Sequence, residues 1–168
     1  MNEEKFTFFY RGPFGQWYLA PMVIDGIEYS CAEKYMMAEK ARLFNDEEIL
    51  AKIMAEDKPK EQKSLGRQVR NLNKEKWNDE DKAKWNSVAK DAVYKGNIAK
   101  FTQHEDLKKI LLATDGTTLV EASPVDFIWG IGLDENDPDR FFRSKWKGSN
   151  WLGEVLTKVR ENIKKGIK

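Results

Sequence analysis

The chain opens on Phe6-Thr7-Phe8-Phe9-Tyr10, an aromatic and β-branched run that predicts a strand. A loop with Gly12, Pro13 and Gly15 follows. Met22-Val23-Ile24 and Ile27-Glu28-Tyr29 then flank Asp25-Gly26, a pair that favours a two-residue hairpin turn. Ser30-Cys31-Ala32-Glu33 has the Ser-x-x-Glu form of a capping box and predicts a helix running to about Phe44. Further helices are expected at 46–56 and 60–70. The segment 79–101 is longer, with Trp85, Val88, Ala89, Ala92, Gly96 and Ala99 on one stripe. The small residues on that stripe let a neighbouring helix or a ligand come close. His104 to Ala113 predicts a short helix, and Thr118 to Ala122 a strand that ends before Pro124. Leu152, Val155, Leu156, Val159 and Ile163 mark a C-terminal amphipathic helix. The fold class expected is α+β, a single mostly helical domain over residues 1–168 with a small β-sheet.

Composition agrees with this picture and narrows the setting. A chain of 168 residues, 40% hydrophobic and 34% charged, suits one domain that buries a full core without disulfide or metal. No run of 18 apolar residues occurs, and Met1-Asn2-Glu3-Glu4 lacks the basic-then-apolar pattern of a signal peptide. The single cysteine, Cys31, has no internal partner for a disulfide, which fits a reducing compartment. The expectation is a cytoplasmic protein with no membrane partner. Net charge is +1, so no overall field draws the chain to nucleic acid. Lysines cluster in Lys58-Pro59-Lys60 and between Lys74 and Lys90, but they alternate with acids and predict solvated helix surfaces. Bulk charge leaves a nucleic-acid substrate open without announcing one.

Glu33 is the first candidate for chemistry. Closing the capping box is one role. Helical spacing also sets Met36 and Met37 on its side, and a carboxylate over thioethers is partly desolvated and suited to proton transfer. The second candidate is the turn after the last strand, which presents Asp126 and Trp129 ahead of Gly130 and Gly132. There the plainer roles are a turn cap for Asp126 and core packing for Trp129. Trp85 is either core or a flat surface for a base. Arg67, after Gly66, is either a solvated helix residue or a phosphate clamp.

Other chemistries fall away. One His and one Cys make no zinc site of the His/Cys type, and nothing in their spacing pairs Cys31 with His104 as nucleophile and base. Gly130-Ile131-Gly132 lacks the third glycine of a dinucleotide fingerprint. Gly148 and Gly153 have phosphate-loop spacing, but Glu154-Val155 replaces the Lys-Ser/Thr. The acidic run Asp134 to Asp139 lacks the glycine of a calcium-binding hand. No metal and no cofactor are expected.

Taken together, Tyr29 to Ala41, Leu65-Gly66-Arg67, Trp85, Gly96 to Phe101, Leu119 to Gly132 and Trp146 to Gly153 resemble the NADAR family, in the family's order along nearly the whole chain. The resemblance implies hydrolysis of an N-glycosidic bond, in ADP-ribose-linked substrates or in ribosylated pyrimidines of the riboflavin pathway. It sets the functional positions on Glu33, Trp85, Asp126 and Trp129. Arg67 and Asn150 are expected as further substrate-binding residues. One branch of the family carries a Ser-Asn pair in the first loop. Here that loop reads Gly12-Pro13-Phe14-Gly15-Gln16-Trp17-Tyr18, which bears on substrate identity more than on reaction type.

Loss of a base builds positive charge at C1′ of the ribose. On the implied mechanism Glu33 faces C1′ and the attacking water, while Asp126 holds ribose hydroxyls or assists proton transfer. The reverse assignment stays open. Trp85 and Trp129 wall the pocket, and Arg67 binds phosphate. The substrate expected first is ADP-ribose on a base such as guanine in nucleic acid, with the riboflavin intermediate second. A non-catalytic ADP-ribose or nucleotide reader is the alternative from another class. Two carboxylates argue against the reader, because a polyphosphate gains little from negative charge. A helical interaction domain comes last. Oligomeric state leaves no mark in the sequence.

Overall fold

The computed structural model describes residues 3–70 and 77–166. Lys74, one of the clustered lysines, lies outside the described residues. The elements in chain order are β1 (Phe6–Phe9), β2 (Met22–Ile24), β3 (Ile27–Tyr29), α1 (Ala32–Leu43), α2 (Glu47–Ala55), α3 (Pro59–Gly66), α4 (Asp79–Gln103), α5 (Glu105–Leu112), β4 (Thr118–Glu121) and α6 (Trp151–Lys164). The fold is α+β and mostly helical. Internal packing divides the chain into two compact units, Met1–Gly15 with Phe101–Lys168 and Gln16–Lys100. The small sheet is in fact two separate two-stranded ladders, β1 with β4 in one unit and β2 with β3 in the other. No described helix is long and apolar enough to cross a membrane.

In the unit Gln16–Lys100, β2 and β3 form the expected hairpin. Asp25 and Gly26 take φ of 52° and 80°, the two positive angles that such a turn requires. Helix α1 is buried all round from Ala32 to Ala38, as befits a helix enclosed by its neighbours. α2 and α3 both pack against it. Gly66 permits the close approach of α3, since a Cβ there would lie 1.9 Å from the Met37 Sδ. Gly96 does the same for α4, where a Cβ would meet the Tyr35 ring at 3.1 Å. The small stripe on α4 thus admits a helix.

Two local expectations fail, both through contacts distant in sequence. The capping box does not form. Cys31 is the N-cap, without a side-chain cap, and the Glu33 N–H donates to the Gln16 carbonyl at 3.0 Å. α3 stops at Gly66 short of residue 70, because Arg70 turns to a φ of 60° and donates its N–H to Asp46 at 2.7 Å. The Arg70 guanidinium also pairs with Asp81 at the head of α4. Asp81 exchanges bonds with Asn78 there, a reciprocal cap with N–O distances of 3.1 and 2.8 Å.

In the other unit, β1 and β4 run parallel, with Phe6 opposite Thr118 and Phe9 opposite Glu121. Val120, Ile131 and Leu133 form a buried cluster lined by Phe6, Phe8 and Trp146. α6 packs on β4, and Thr157 accepts the Leu119 N–H at 3.0 Å. Arg160 of α6 is 3% exposed. It donates to the Thr114 and Thr117 carbonyls at 3.0 and 2.6 Å, which satisfies main chain just beyond the end of α5.

Candidate functional site

In the unit Gln16–Lys100 the candidate chemistry gathers along one face of α1. Glu33, Met36, Met37 and Lys40 follow one another at helical spacing, so the carboxylate and the ammonium share a face two turns apart. Glu33 is 6% exposed, unusually deep for a carboxylate. Its field acts on Lys40, whose pKa is pushed down to about 8. Burial is the main cause and the Arg67 cation a further one, while the Glu33 charge opposes them. Glu33, Lys40 and Arg67 thus form one electrostatic group. Arg67, exposed, caps α3 immediately after the Gly66–Met37 contact that brings α3 against α1.

Trp85 completes the group from α4. It is 8% exposed, and the Lys40 Nζ sits 5.9 Å from its ring centre and 4.8 Å from that of Trp77. On another face of α1, Trp85 also lines an open groove of about 430 Å³ with Tyr35, Glu39 and Lys95. Three of the four charged side chains that line the groove, all but Asp91, are paired. Arg42 bonds Glu39 at 2.8 Å and Lys95 bonds Asp25 at 2.9 Å.

The same unit carries two further buried groups with shifted pKa values. Lys100 is fully buried, its pKa pushed down to about 7 by burial, with Nζ 5.5 Å from the Tyr18 ring centre. Cys31 is fully buried and donates to Gln62 at 3.2 Å. Burial pushes its thiol pKa up, which disfavours the thiolate that a nucleophile needs. The two-turn spacing from Glu33 could have revealed Lys40. Lys100 lies in the matching stretch Gly96 to Phe101, which gave it no role of its own.

In the unit Met1–Gly15 with Phe101–Lys168, Asp126 organises the turn after β4. Its Oδ1 accepts the N–H groups of Ile128 and Trp129 at 2.9 and 2.8 Å, and its own N–H donates to Ser123 Oγ at 3.1 Å. No described residue bonds the other carboxylate oxygen. Trp129 is half-buried and stands edge-on to Trp151, centroids 5.5 Å apart at 86°. One face of this turn is apolar and exposed, with Phe127 at 54% and Ile128 at 49%.

Asn150 is placed differently from the expectation. It is fully buried in a left-handed conformation, φ 54°, and both ends of its amide are committed to β4. Oδ1 accepts from Glu121 N–H and Nδ2 donates to the Leu119 carbonyl, both at 3.0 Å. In this structure it pins the strand and presents no group to a substrate. Among the described residues no cluster of His, Cys, Asp and Glu could hold a metal ion.

The NADAR domain family matches residues 5–164. Protein irg-1 of Caenorhabditis elegans is 43% identical over 82% of this chain, which spans 62% of that protein's length. N-glycosidase R617 of Acanthamoeba polyphaga mimivirus is 42% identical over 96% of this chain and 98% of its own. N-glycosidase YbiA of Escherichia coli is 31% identical over 90% of this chain and 81% of its own. The NMR structure of E. coli YbiA superposes with a TM-score of 0.74 at 28% identity, covering 99% of this chain and 89% of that one. The chain belongs to the NADAR family, among relatives that are hydrolases acting on N-glycosyl bonds.

Proposed function

We propose that this chain is an N-glycosidase that removes ADP-ribose from a modified base such as guanine in nucleic acid. The observation that carries this is the grouping of a buried carboxylate, Glu33, with Lys40 and Arg67 on one side of α1. Glu33 stabilises the positive charge that builds at C1′ as the base departs, and it takes a proton from the attacking water. Lys40 gives its proton to the departing nitrogen. Water thus supplies hydroxide to C1′, and the base leaves with a hydrogen. Arg67 offers a planar fork to the diphosphate. Trp85 provides a flat surface for the base. A reader of ADP-ribose would gain nothing from a buried negative charge, which favours hydrolysis over binding alone.

The test is a chromatographic assay of purified protein beside Glu33→Gln. Two substrates are offered, an ADP-ribosylated guanine oligonucleotide and a ribosylaminouracil phosphate. Free ADP-ribose from the oligonucleotide, absent with Glu33→Gln at an unchanged melting temperature, is the expected result. Cleavage of the small molecule alone would move the enzyme to riboflavin chemistry. Binding without cleavage of either would make it a reader.

A further inference from the structure

The first loop meets the start of α1 at Gln16. Its main-chain carbonyl accepts the Glu33 N–H at 3.0 Å, one of the helix-start donors with no partner inside the helix. Its side chain continues along the same face. Nε2 lies 3.9 Å from the Met36 Sδ, and Oε1 accepts from Asn97 Nδ2 of α4 at 2.8 Å. Asn97 is fully buried, and its Nδ2 also donates to the Val93 carbonyl at 2.8 Å. Both amide hydrogens are thereby used, whereas Asn97 Oδ1 is buried without a hydrogen-bond partner. Turning the amide over would aim its oxygen at two acceptors, so its orientation is set by donation alone. A buried amide that leaves its own acceptor unpaired is costly, and packing alone would be met better by an apolar side chain.

We infer that Gln16 is the positioning residue for Glu33 and that Asn97 holds Gln16 in place. The inference rests on Glu33 being the catalytic carboxylate. Asn97 fixes the Gln16 side chain, Gln16 fixes the loop carbonyl, and the carbonyl fixes the first turn of α1 that carries Glu33. Misplacement of a reacting group by about 1 Å can cost on the order of a hundredfold in rate, so loosening this chain of contacts reaches the chemistry without touching substrate.

The experiment compares Gln16→Ala, Asn97→Ala, their double and Gln16→Glu, with Glu33→Gln as control, on the ADP-ribosylated guanine oligonucleotide. Melting temperature and amide exchange of Glu33 are measured on each. Each alanine variant should lower kcat about tenfold or more and leave KM within about threefold. The double should be no worse than the poorer single, because both act through one contact. Gln16→Glu still accepts from Asn97 and should restore most of kcat. A second carboxylate near Glu33 disfavours its ionised form, so the acidic limb of the kcat profile should move to higher pH. Exchange of the Glu33 amide should quicken in both alanine variants. Additive losses, losses that follow melting temperature, or an acidic limb unmoved in Gln16→Glu would overturn the inference. Full activity in Gln16→Ala beside a dead Glu33→Gln would overturn it alone. Full activity in Glu33→Gln would instead remove the role assigned to Glu33. Should Asn97→Ala fail to fold, the Gln16→Glu profile and the Glu33 exchange rate decide.

Discussion

Asn150 takes the Glu121 N–H on its side-chain oxygen at 3.0 Å, and the amide nitrogen of the same side chain returns a bond to Leu119. One side chain therefore satisfies main-chain groups two residues apart on β4. Asn150→Ala leaves both groups buried and unpaired, and should cost about 3 kcal/mol in urea unfolding. Normal stability with weakened ADP-ribose binding would return Asn150 to the substrate-contact role.

Asp126 combines a structural duty with a free oxygen, and two substitutions separate them. Asp126→Asn keeps an acceptor for the Ile128 and Trp129 N–H groups, so melting should move by no more than about 2 °C while turnover falls. Asp126→Ala loses the acceptor as well and should be about 1 to 2 kcal/mol less stable. Equal turnover in wild type and Asp126→Asn would confine Asp126 to the turn.

Lys40 should set the alkaline limb of activity. Its folded-state pKa is pushed down to about 8, so its ammonium loses the proton as pH rises through that value. If the ammonium serves the departing base, kcat falls above about pH 8. Lys40→Arg, which keeps its charge throughout, should remove that limb. A profile flat to pH 10 in wild type would take Lys40 out of the proton transfer.

Lys100 gives a stability signature of opposite origin. Its folded pKa, pushed down to about 7, lies below the ordinary lysine value of 10.5. Below about pH 7 both states are protonated, and the cost of the buried charge is fully present. Between there and pH 10.5 the unfolded chain binds more protons, so this residue makes stability rise with pH. Lys100→Met should flatten that rise in unfolding series at pH 7, 8.5 and 10. The same slope in variant and wild type would contradict the buried cation.

Two glycines should differ in what a methyl group costs. At Gly66 the obstacle is the Met37 side chain, which can shift, and alanine favours the helix. Gly66→Ala should lose about 1 kcal/mol. At Gly153 a Cβ would lie 2.1 Å from the Leu119 carbonyl oxygen, on backbone held by β4. Gly153→Ala should lose more than about 3 kcal/mol or fail to accumulate. A reversed order in chemical denaturation would refute the distinction between yielding and fixed neighbours.

What was legible in the sequence was local. Asp25-Gly26 announced its hairpin because both positive angles belong to adjacent residues, and the apolar stripe of α6 announced its buried face. Ser30 misled because a carbonyl supplied by Gln16, far off in the chain, took the N–H that the capping box reserves. Arg70 ended α3 early through Asp46, again a distant partner. In the candidate site the motifs named Glu33, Arg67 and Trp85, whereas Lys40 needed the spacing to be followed one turn further. Gln16 and Asn97 stood in stretches already singled out but without a role, since their pairing depends on how loop and helix meet. Asn150 stood in the expected motif, and its two bonds to β4 give it a structural duty that the sequence did not announce.

The parallel pairing of β1 with β4 also has a consequence for biosynthesis. Phe6 leaves the ribosome long before Thr118, its partner, has been translated. The whole of Gln16–Lys100 is a continuous segment and is made first, so it can collapse while β1 still waits with an unmatched apolar edge. Closing that ladder links segments far apart in the polypeptide and is the slow kind of contact to form. The nascent chain is therefore most vulnerable to aggregation and chaperone capture through Phe6, Phe8 and Phe9 until its last third has emerged.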